Sequence, residues 1–411
     1  MPKRSQNSYH TFRMNTMNSE EISSNIGLYI HWPFCLSKCP YCDFNSHVVE
    51  SVDHNRWEKA LIKELTFLSR NHNHKKLKSI FFGGGTPSLM KPKTVFEAIQ
   101  TAKEIWGVKQ PIEITLEANP SSIESQTFNS FKQAGINRIS LGIQAFDDKA
   151  LSFLGRNHDR LDAINAIEAA HKSFDRVSFD LIYARPQQTI ESWLSELGQA
   201  VELAGEHMSV YQLTIEKGTA FYSQYRNGGF EMPNPETAGD FYEFTNEKLS
   251  SAGLQNYEIS NYAHLGSECQ HNLIYWRSED YLGVGPGAHS RLTNIKGKRI
   301  AARSLTAPFS WLKEVEAKGN ALVEQNILSI SEQLTETIMM GLRLKEGVSL
   351  KKLYKLTGKT LDQLFDKEAL HLLGNEGYLK TDGVYLRATE SGRQRLNGVV
   401  RCLLDSVNIP N

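Results

Sequence analysis

Through the first two-thirds of the chain, short β-rich runs alternate with longer stretches in which apolar residues recur every three or four positions. The runs predict strands at 27–32 (GLYIHW), 78–82 (KSIFF), 112–117 (IEITLE), 137–143 (NRISLGI), 176–182 (RVSFDLI) and 208–215 (MSVYQLTI). The spacing between them predicts helices at 54–70, 92–106, 123–134, 159–172 and 189–203, with one more at 236–252. Such alternation means parallel strands joined by crossover helices, in a barrel or an open doubly wound sheet. After about residue 295 the pattern changes to a connector with a short amphipathic helix. Residues 331–405 then read as helices with one small hairpin, GYLKTDGVYLRAT, turned at Asp382-Gly383. Helices plus a wing suggest a winged-helix-like module that covers the open side of the barrel or docks a partner.

The 411 residues allow two or three domains, or one barrel with an appendage. The organisation expected is a polar, disordered lead at 1–25, a barrel at 26–255, a Gly-rich segment with connector at 256–330, and the C-terminal domain at 331–411. Lys plus Arg (46) equals Asp plus Glu (46), so no overall basic field draws the chain to nucleic acid. The C-terminal module is nearly balanced too, against a phosphate-binding face. No apolar run approaches the ~18 residues of a membrane helix, leaving at most peripheral membrane contact. The lead lacks the apolar region of a secretory signal, and five cysteines are an odd count for a disulfide scaffold. A reducing cytoplasm is the expected location.

Chemistry is expected at the carboxyl ends of the strands, where polar or Gly-rich residues stand in register. After the first strand comes a cysteine loop; after the second, GGGTPS (83–88); Glu117 ends the third. Gln144, Asp180, and Gln212 or Thr214 stand at the next three. The loop, YIHWPFCLSKCPYCDF, holds Cys35, Cys39 and Cys42 in a C-x3-C-x2-C spacing. Structural zinc takes four ligands, so it would need His31 or His47 to complete the set. A thioredoxin-like pair would use Cys39 and Cys42 and leave Cys35 without a task. Three thiolates without a fourth suit a 4Fe–4S cluster with one iron open to a ligand.

This spacing after a first strand, with GGGTP after the second, resembles the radical S-adenosylmethionine (SAM) superfamily. The resemblance implies a partial (β/α)6 barrel, a cluster held by Cys35, Cys39 and Cys42, and SAM chelated at the fourth iron. One electron from the cluster then cleaves SAM to methionine and a 5′-deoxyadenosyl radical, and a flavodoxin or ferredoxin would supply it. Tyr41 would lie against the adenine; Gly84, Gly85 and Thr86 would bind the methionine amino group and neighbouring atoms. Gln144, Arg156 and Asp180 match SAM-contacting positions, and Tyr29, Gly84 and Glu117 match a second group of ligand positions in relatives that hold two SAM molecules. One loop departs from the family: where YGLPGQT is usual, this chain reads YARPQQT, with Ala184, Arg185 and Gln187, and is expected to be stiffer and more basic there.

The motifs YIHWPFC, FFGGGTPS, SLGIQAF, FDLIYARP, YQLTIEKGT, HNLIYW and GVGPGAHS resemble one branch more closely. That branch holds the oxygen-independent coproporphyrinogen III dehydrogenases and the heme chaperones. The dehydrogenases carry a further cysteine two residues past the third ligand; here that position is Phe44. Phe44 and HNLIYW (271–276) resemble the chaperones, which implies heme as a third cofactor and a heme-accepting protein as partner. His271 would be the axial ligand, with Tyr275 about one helical turn on and Trp276 offering a flat apolar surface. His289 and Cys269 are alternative ligands, and a heme sensor or store that never donates is the third reading.

Overall fold

The computed structural model describes residues 25–408, so the polar lead lies, but for its last residue, outside the described residues. In β1 (Asn25–Trp32) the side chains alternate: Ile26, Leu28 and Ile30 join the main apolar core, while Gly27, Tyr29 and His31 face the other way. The same alternation runs through β2 (Lys76–Gly84), β3 (Glu113–Ala118), β4 (Arg138–Gln144), β5 (Arg176–Tyr183) and β6 (His207–Gln212). These are consecutive parallel neighbours in one curved sheet. Ile80, Leu116, Leu141, Phe179 and Val210 pack under the crossover helices. Ser79, Thr115, Ser140, Ser178 and Ser209, of opposite parity, are buried on the concave side. The interior of the arc is therefore polar, and the apolar core lies between sheet and helices.

Crossover helices run over His54–Ser69, Pro92–Trp106, Ser122–Ala134, Arg160–Ser173 and Ile190–Leu203, close to the predicted spans. The sixth strand was expected to reach 215 but ends at Gln212, next to the last residue of its neighbour, Tyr183. Beyond that point it has no ladder partner.

The expected connector is instead a continuation of the sheet. β7 (Asp280–Val284) pairs in parallel with β1 on the side away from β2. Antiparallel β8 (His289–Thr293), β9 (Arg299–Ser304) and β10 (Leu322–Ile327) extend it, with helix Pro308–Lys318 between the last two. Their residues hid them. Arg303 pairs across the ladder with Glu324, and charged and polar positions in RIAARS and LVEQNI suppress the apolar signal of a strand.

The C-terminal domain has its own core, including Leu334, Ile338, Leu353, Phe365, Leu386 and Leu403. The hairpin is present, with Gly383 at φ 82° in its turn, and Val348–Ser349 adds a third strand. Cys402 is half-buried beside this core, not inside it. The domain docks through Arg277, which pairs with Glu346 by two hydrogen bonds, and Arg343, which lies 4.7 Å over the Trp276 ring.

Candidate functional site

Phe34–Cys35 pairs with His47–Val48, so the cysteine loop is an excursion closed at its base. Outside contacts hold its tip: Asn157 Nδ2 donates to Ser37 Oγ at 2.8 Å, and Phe221 N to the Pro40 carbonyl at 2.9 Å. Gly155 passes so near that a Cβ there would stand 2.5 Å from Pro40 Cδ. Cys35, Cys39 and Cys42 are partly exposed and in no disulfide. Each thiol has a polar neighbour. Thr86 Oγ1 donates to Cys35 Sγ at 3.3 Å, Arg156 Nη1 to Cys39 Sγ at 3.3 Å, and Ser46 Oγ lies 3.7 Å from Cys42 Sγ. Burial pushes the Cys35 thiol up, while Thr86 and Arg156 pull the other way.

The zinc alternative finds no gathered ligand set among the described residues, and of the two histidines His31 has both nitrogens engaged. His31 Nε2 donates to the Asn45 carbonyl (2.9 Å), which leaves Nδ1 to accept from Tyr29 OH (3.0 Å). His47 Nε2 bonds Asn45 Oδ1. Among the described residues no three His, Cys, Asp or Glu side chains converge enough to hold a single metal ion. A 4Fe–4S cluster puts each thiolate on a different iron, so convergence is not required of it.

The thiols open onto a cleft at the carboxyl ends of β1–β5, with ≈ 1100 Å³ of empty space including its mouth. Gly84 sits at φ 121°, a conformation that glycine alone adopts freely, and its N–H donates to Glu117 Oε2 at 3.2 Å. A Cβ on Gly85 would lie 2.8 Å from the Phe34 carbonyl oxygen and 3.0 Å from Cys35 Sγ, so only glycine lets the backbone pass behind the cysteine. Gln144 ends β4 at φ 71°, at an irregularity in the ladder that turns the strand end. Glu117 and Asp180 share the floor. Burial, with Asp180's charge added, pushes Glu117 up to about 8, and burial pushes Asp180 up to about 6. Arg156 Nε is buried without a hydrogen-bond partner.

Of the expected ligand residues, Tyr41, Gly84, Gly85, Thr86, Glu117, Gln144, Arg156 and Asp180 line this cleft. Tyr29 does not: it lies deeper, its hydroxyl on His31. Gln212 and Thr214 are exposed and outside the lining, so the sixth strand end adds nothing to it. Sequence reasoning missed Asn119, two residues past Glu117. Its Oδ1 accepts from Arg156 Nη2 at 2.7 Å and its Nδ2 donates to Thr86 Oγ1 at 3.1 Å. The available signal was the polar Asn-Pro step directly after β3.

The YARPQQT loop keeps the shape its missing glycines would favour. Ala184 (φ 54°) and Gln187 (φ 61°) both sit in the left-handed region, at a cost of roughly 1–2 kcal/mol each. The expectation of a more basic loop does not hold at the cleft. Arg185 is buried and paired with Glu196, so its charge is neutralised inside the protein.

HNLIYW lies on helix Gln270–Trp276, at the opposite, amino end of the arc. The Glu113 carboxylate, on the first residue of β3, accepts from the N–H groups of Gln270 and His271 at 3.0 Å each and pairs with Arg176. It thereby caps the helix N-terminus. Burial pushes Glu113 up, but Arg138, Arg176 and the two N–H groups outweigh it and hold the carboxyl below its ordinary value. His271 points inward, 1% exposed, stacked on Phe81 with ring centroids 5.1 Å apart. Both its nitrogens are engaged, Nδ1 with Ser79 Oγ and Nε2 with Tyr275 OH, each at 2.8 Å. Burial pushes its pKa down to about 3, so the ring is neutral. Cys269 is also buried, while His289 is exposed on β8. Trp276 is half-buried under Arg343, its Nε1 without a partner. In this arrangement the helix is a plug, and His271 offers no free nitrogen to a heme iron.

The parallel arc carries three thiols in no disulfide, a glycine cradle and two half-buried carboxylates at its carboxyl mouth, the layout expected of a radical SAM protein. Residues 29–197 match the model of the radical SAM superfamily, and 328–395 that of the HemN C-terminal domain. The fold is that of the solved Escherichia coli coproporphyrinogen III oxidase, HemN, with TM-score 0.76 over 92% of this chain and 90% of that one, at 21% identity. Closer in sequence is a protein of Dictyostelium discoideum named radical S-adenosyl methionine domain-containing protein 1, mitochondrial, 37% identical over 92% of this chain and 94% of its own. The heme chaperone HemW of Escherichia coli is 35% identical, covering 92% and 98%. The chain belongs to the radical SAM superfamily, and within it to the family of these two relatives. A 4Fe–4S cluster and SAM come with that membership, and the residues fit them: three separate thiols, each with a polar neighbour, and an unpartnered guanidinium nitrogen beside them.

Proposed function

We propose that this chain is a heme chaperone of the radical SAM type, which holds a 4Fe–4S cluster, SAM and heme and passes heme to an acceptor protein. The observation that carries this reading is the match to HemW along nearly the full length of both chains. Phe44, exposed at the cluster mouth in place of the dehydrogenases' extra cysteine, supports it against coproporphyrinogen III dehydrogenation. A cluster seated on Cys35, Cys39 and Cys42 supplies one-electron chemistry to SAM. The protein's own part is to hold and orient: Arg156 and Asp180 present a fixed cation and a carboxylate to a zwitterionic, hydroxyl-bearing ligand, and the glycine cradle admits it close to the backbone. The working place is a reducing compartment, the cytoplasm, although animal and Dictyostelium relatives are named mitochondrial. Among the described residues no helix is long and apolar enough to cross a membrane.

Heme is proposed to bind through the HNLIYW segment, with His271 as ligand once the plug helix leaves its seat. The exposed His289 is the alternative. Optical titration of the anaerobic holoprotein with heme, for wild type, His271→Ala and His289→Ala, separates the two. Loss of the Soret shift in His271→Ala alone supports the first; loss in His289→Ala alone moves the ligand to β8. Heme-loaded protein is expected to reactivate a heme-depleted acceptor. Conversion of coproporphyrinogen III to protoporphyrinogen IX by the reduced protein with SAM would overturn the chaperone reading.

A further inference from the structure

Three polar side chains behind the thiols form one chain of hydrogen bonds with fixed directions. Asn119 Nδ2 donates to Thr86 Oγ1 (3.1 Å), and Thr86 Oγ1 donates its own hydrogen to Cys35 Sγ (3.3 Å). On its other side Asn119 Oδ1 accepts from Arg156 Nη2 (2.7 Å), which also donates to the Gly142 carbonyl (2.8 Å), while Nη1 donates to Cys39 Sγ (3.3 Å). Asn119 is itself anchored: its backbone N–H donates to Glu124 Oε2 (2.9 Å), a carboxylate that Ser88 Oγ also reaches. A primary amide is what this position requires, because it must donate on one side and accept on the other. By donating to the threonine oxygen, Asn119 leaves the hydroxyl hydrogen only the sulfur. By accepting from the guanidinium, it fixes the fork so that the second nitrogen faces the other sulfur.

We infer that Asn119 is a positioning residue that aims the Thr86 hydroxyl and the Arg156 guanidinium at two of the cluster thiolates and thereby sets the cluster's reduction potential. The inference rests on the cluster reading of Cys35, Cys39 and Cys42. Hydrogen bonds to ligand sulfur withdraw electron density and favour the reduced cluster, one of the levers by which proteins tune iron–sulfur potentials. Asn119→Asp keeps the acceptor for Arg156 but turns the donor for Thr86 into a second acceptor. The hydroxyl hydrogen then swings to the carboxylate, and Cys35 loses its donor.

The test is a reductive titration of the anaerobic, reconstituted holoprotein followed by EPR, for wild type, Asn119→Asp, Thr86→Val and the double variant. Asn119→Asp is expected to keep its iron and sulfide but to reduce less readily. The reduced-to-oxidised ratio at a fixed potential should fall about tenfold, or ~59 mV for one electron. Thr86→Val should move the same way, and the double variant by less than the sum of the two. A potential unchanged in Asn119→Asp, or strictly additive shifts, would overturn the inference while leaving the cluster in place. If Asn119→Asp loses its iron, Thr86→Val carries the test alone: a shift to more negative potential supports the chain of bonds, and an unchanged potential overturns it. Wild-type protein that assembles no cluster would overturn the cluster reading and this inference with it.

Discussion

The two ends of the strand arc are built from similar residues and put them to opposite use. At the carboxyl end, Glu117 and Asp180 share the cleft floor, half-buried, Glu117 taking one backbone N–H, and Arg156 keeps an unpartnered nitrogen. At the amino end, Glu113 has an arginine and two helix N–H groups, and His271 has a hydroxyl on each nitrogen. Burial outweighs the Gly84 N–H and Arg138 at Glu117, and the Ser209 hydroxyl with Arg138 and Arg156 at Asp180, and raises both; at Glu113 two arginines and two helix N–H groups outweigh burial and hold the carboxyl below its ordinary value. Buried polar groups are expensive without partners. At the cleft the under-compensated charged groups surround open space, as a ligand seat requires, whereas at the amino end His271 and Glu113 have their partners, although Trp276 Nε1 beside them has none.

The largest way to break this contrast is Glu113→Ala. It removes the cap of helix Gln270–Trp276, takes from Arg176 its ion-pair partner and from Arg138 one nearby carboxylate. Loss of about 3–5 kcal/mol of stability is expected in denaturant melts, with faster amide exchange across 270–276. If the melts are unchanged, the plug is not held as described. Ser79→Ala sharpens the contrast more gently. It strips one hydroxyl from His271 Nδ1 at a cost of about 1–2 kcal/mol, and heme should then bind more readily if the helix must leave its seat. Unaltered heme affinity would separate the plug from heme entry.

A third test concerns pH. Glu117 and Asp180 have folded-state pKa values of about 8 and 6, above their ordinary ones, so the folded state binds more protons than the unfolded between the two ranges. Their stabilising contribution is therefore complete at about pH 4 and is lost as pH rises through 6 and then 8. Melting of the ligand-free protein should fall by a few degrees between pH 5.5 and 8.5, and Glu117→Gln should flatten the upper part of that decline. A flat wild-type profile would contradict the raised values that burial gives these two carboxyls.

How much of this was legible in the sequence depended on the kind of signal. Strands β1–β5 and their helices were readable because apolar periodicity and strand-end polar residues mark parallel crossover units directly. Strands β9 and β10 were not: their faces alternate with arginine and glutamate, which reads as a solvated connector until a partner strand supplies the opposite charge. The three-cysteine loop stood out by its spacing, which left few chemistries, and the family resemblance narrowed them to a cluster. Asn119 was hidden, because its role is a direction of hydrogen bonding and not a residue type. HNLIYW was legible as a motif but not as a position. Nothing in its six residues tells that Glu113, far away in the chain, caps the helix and draws His271 inward.

The most direct measurement of the central claim is anaerobic purification with iron, sulfide and zinc analysis, followed by EPR of the reduced protein with and without SAM. About four irons and four sulfides per chain are expected, lost in Cys39→Ala. The reduced-cluster signal should change when SAM is added, since a cluster on the three thiols would adjoin the cleft lined by Arg156 and Asp180. Zinc at the thiols, or an iron–sulfur signal indifferent to SAM, would contradict that claim.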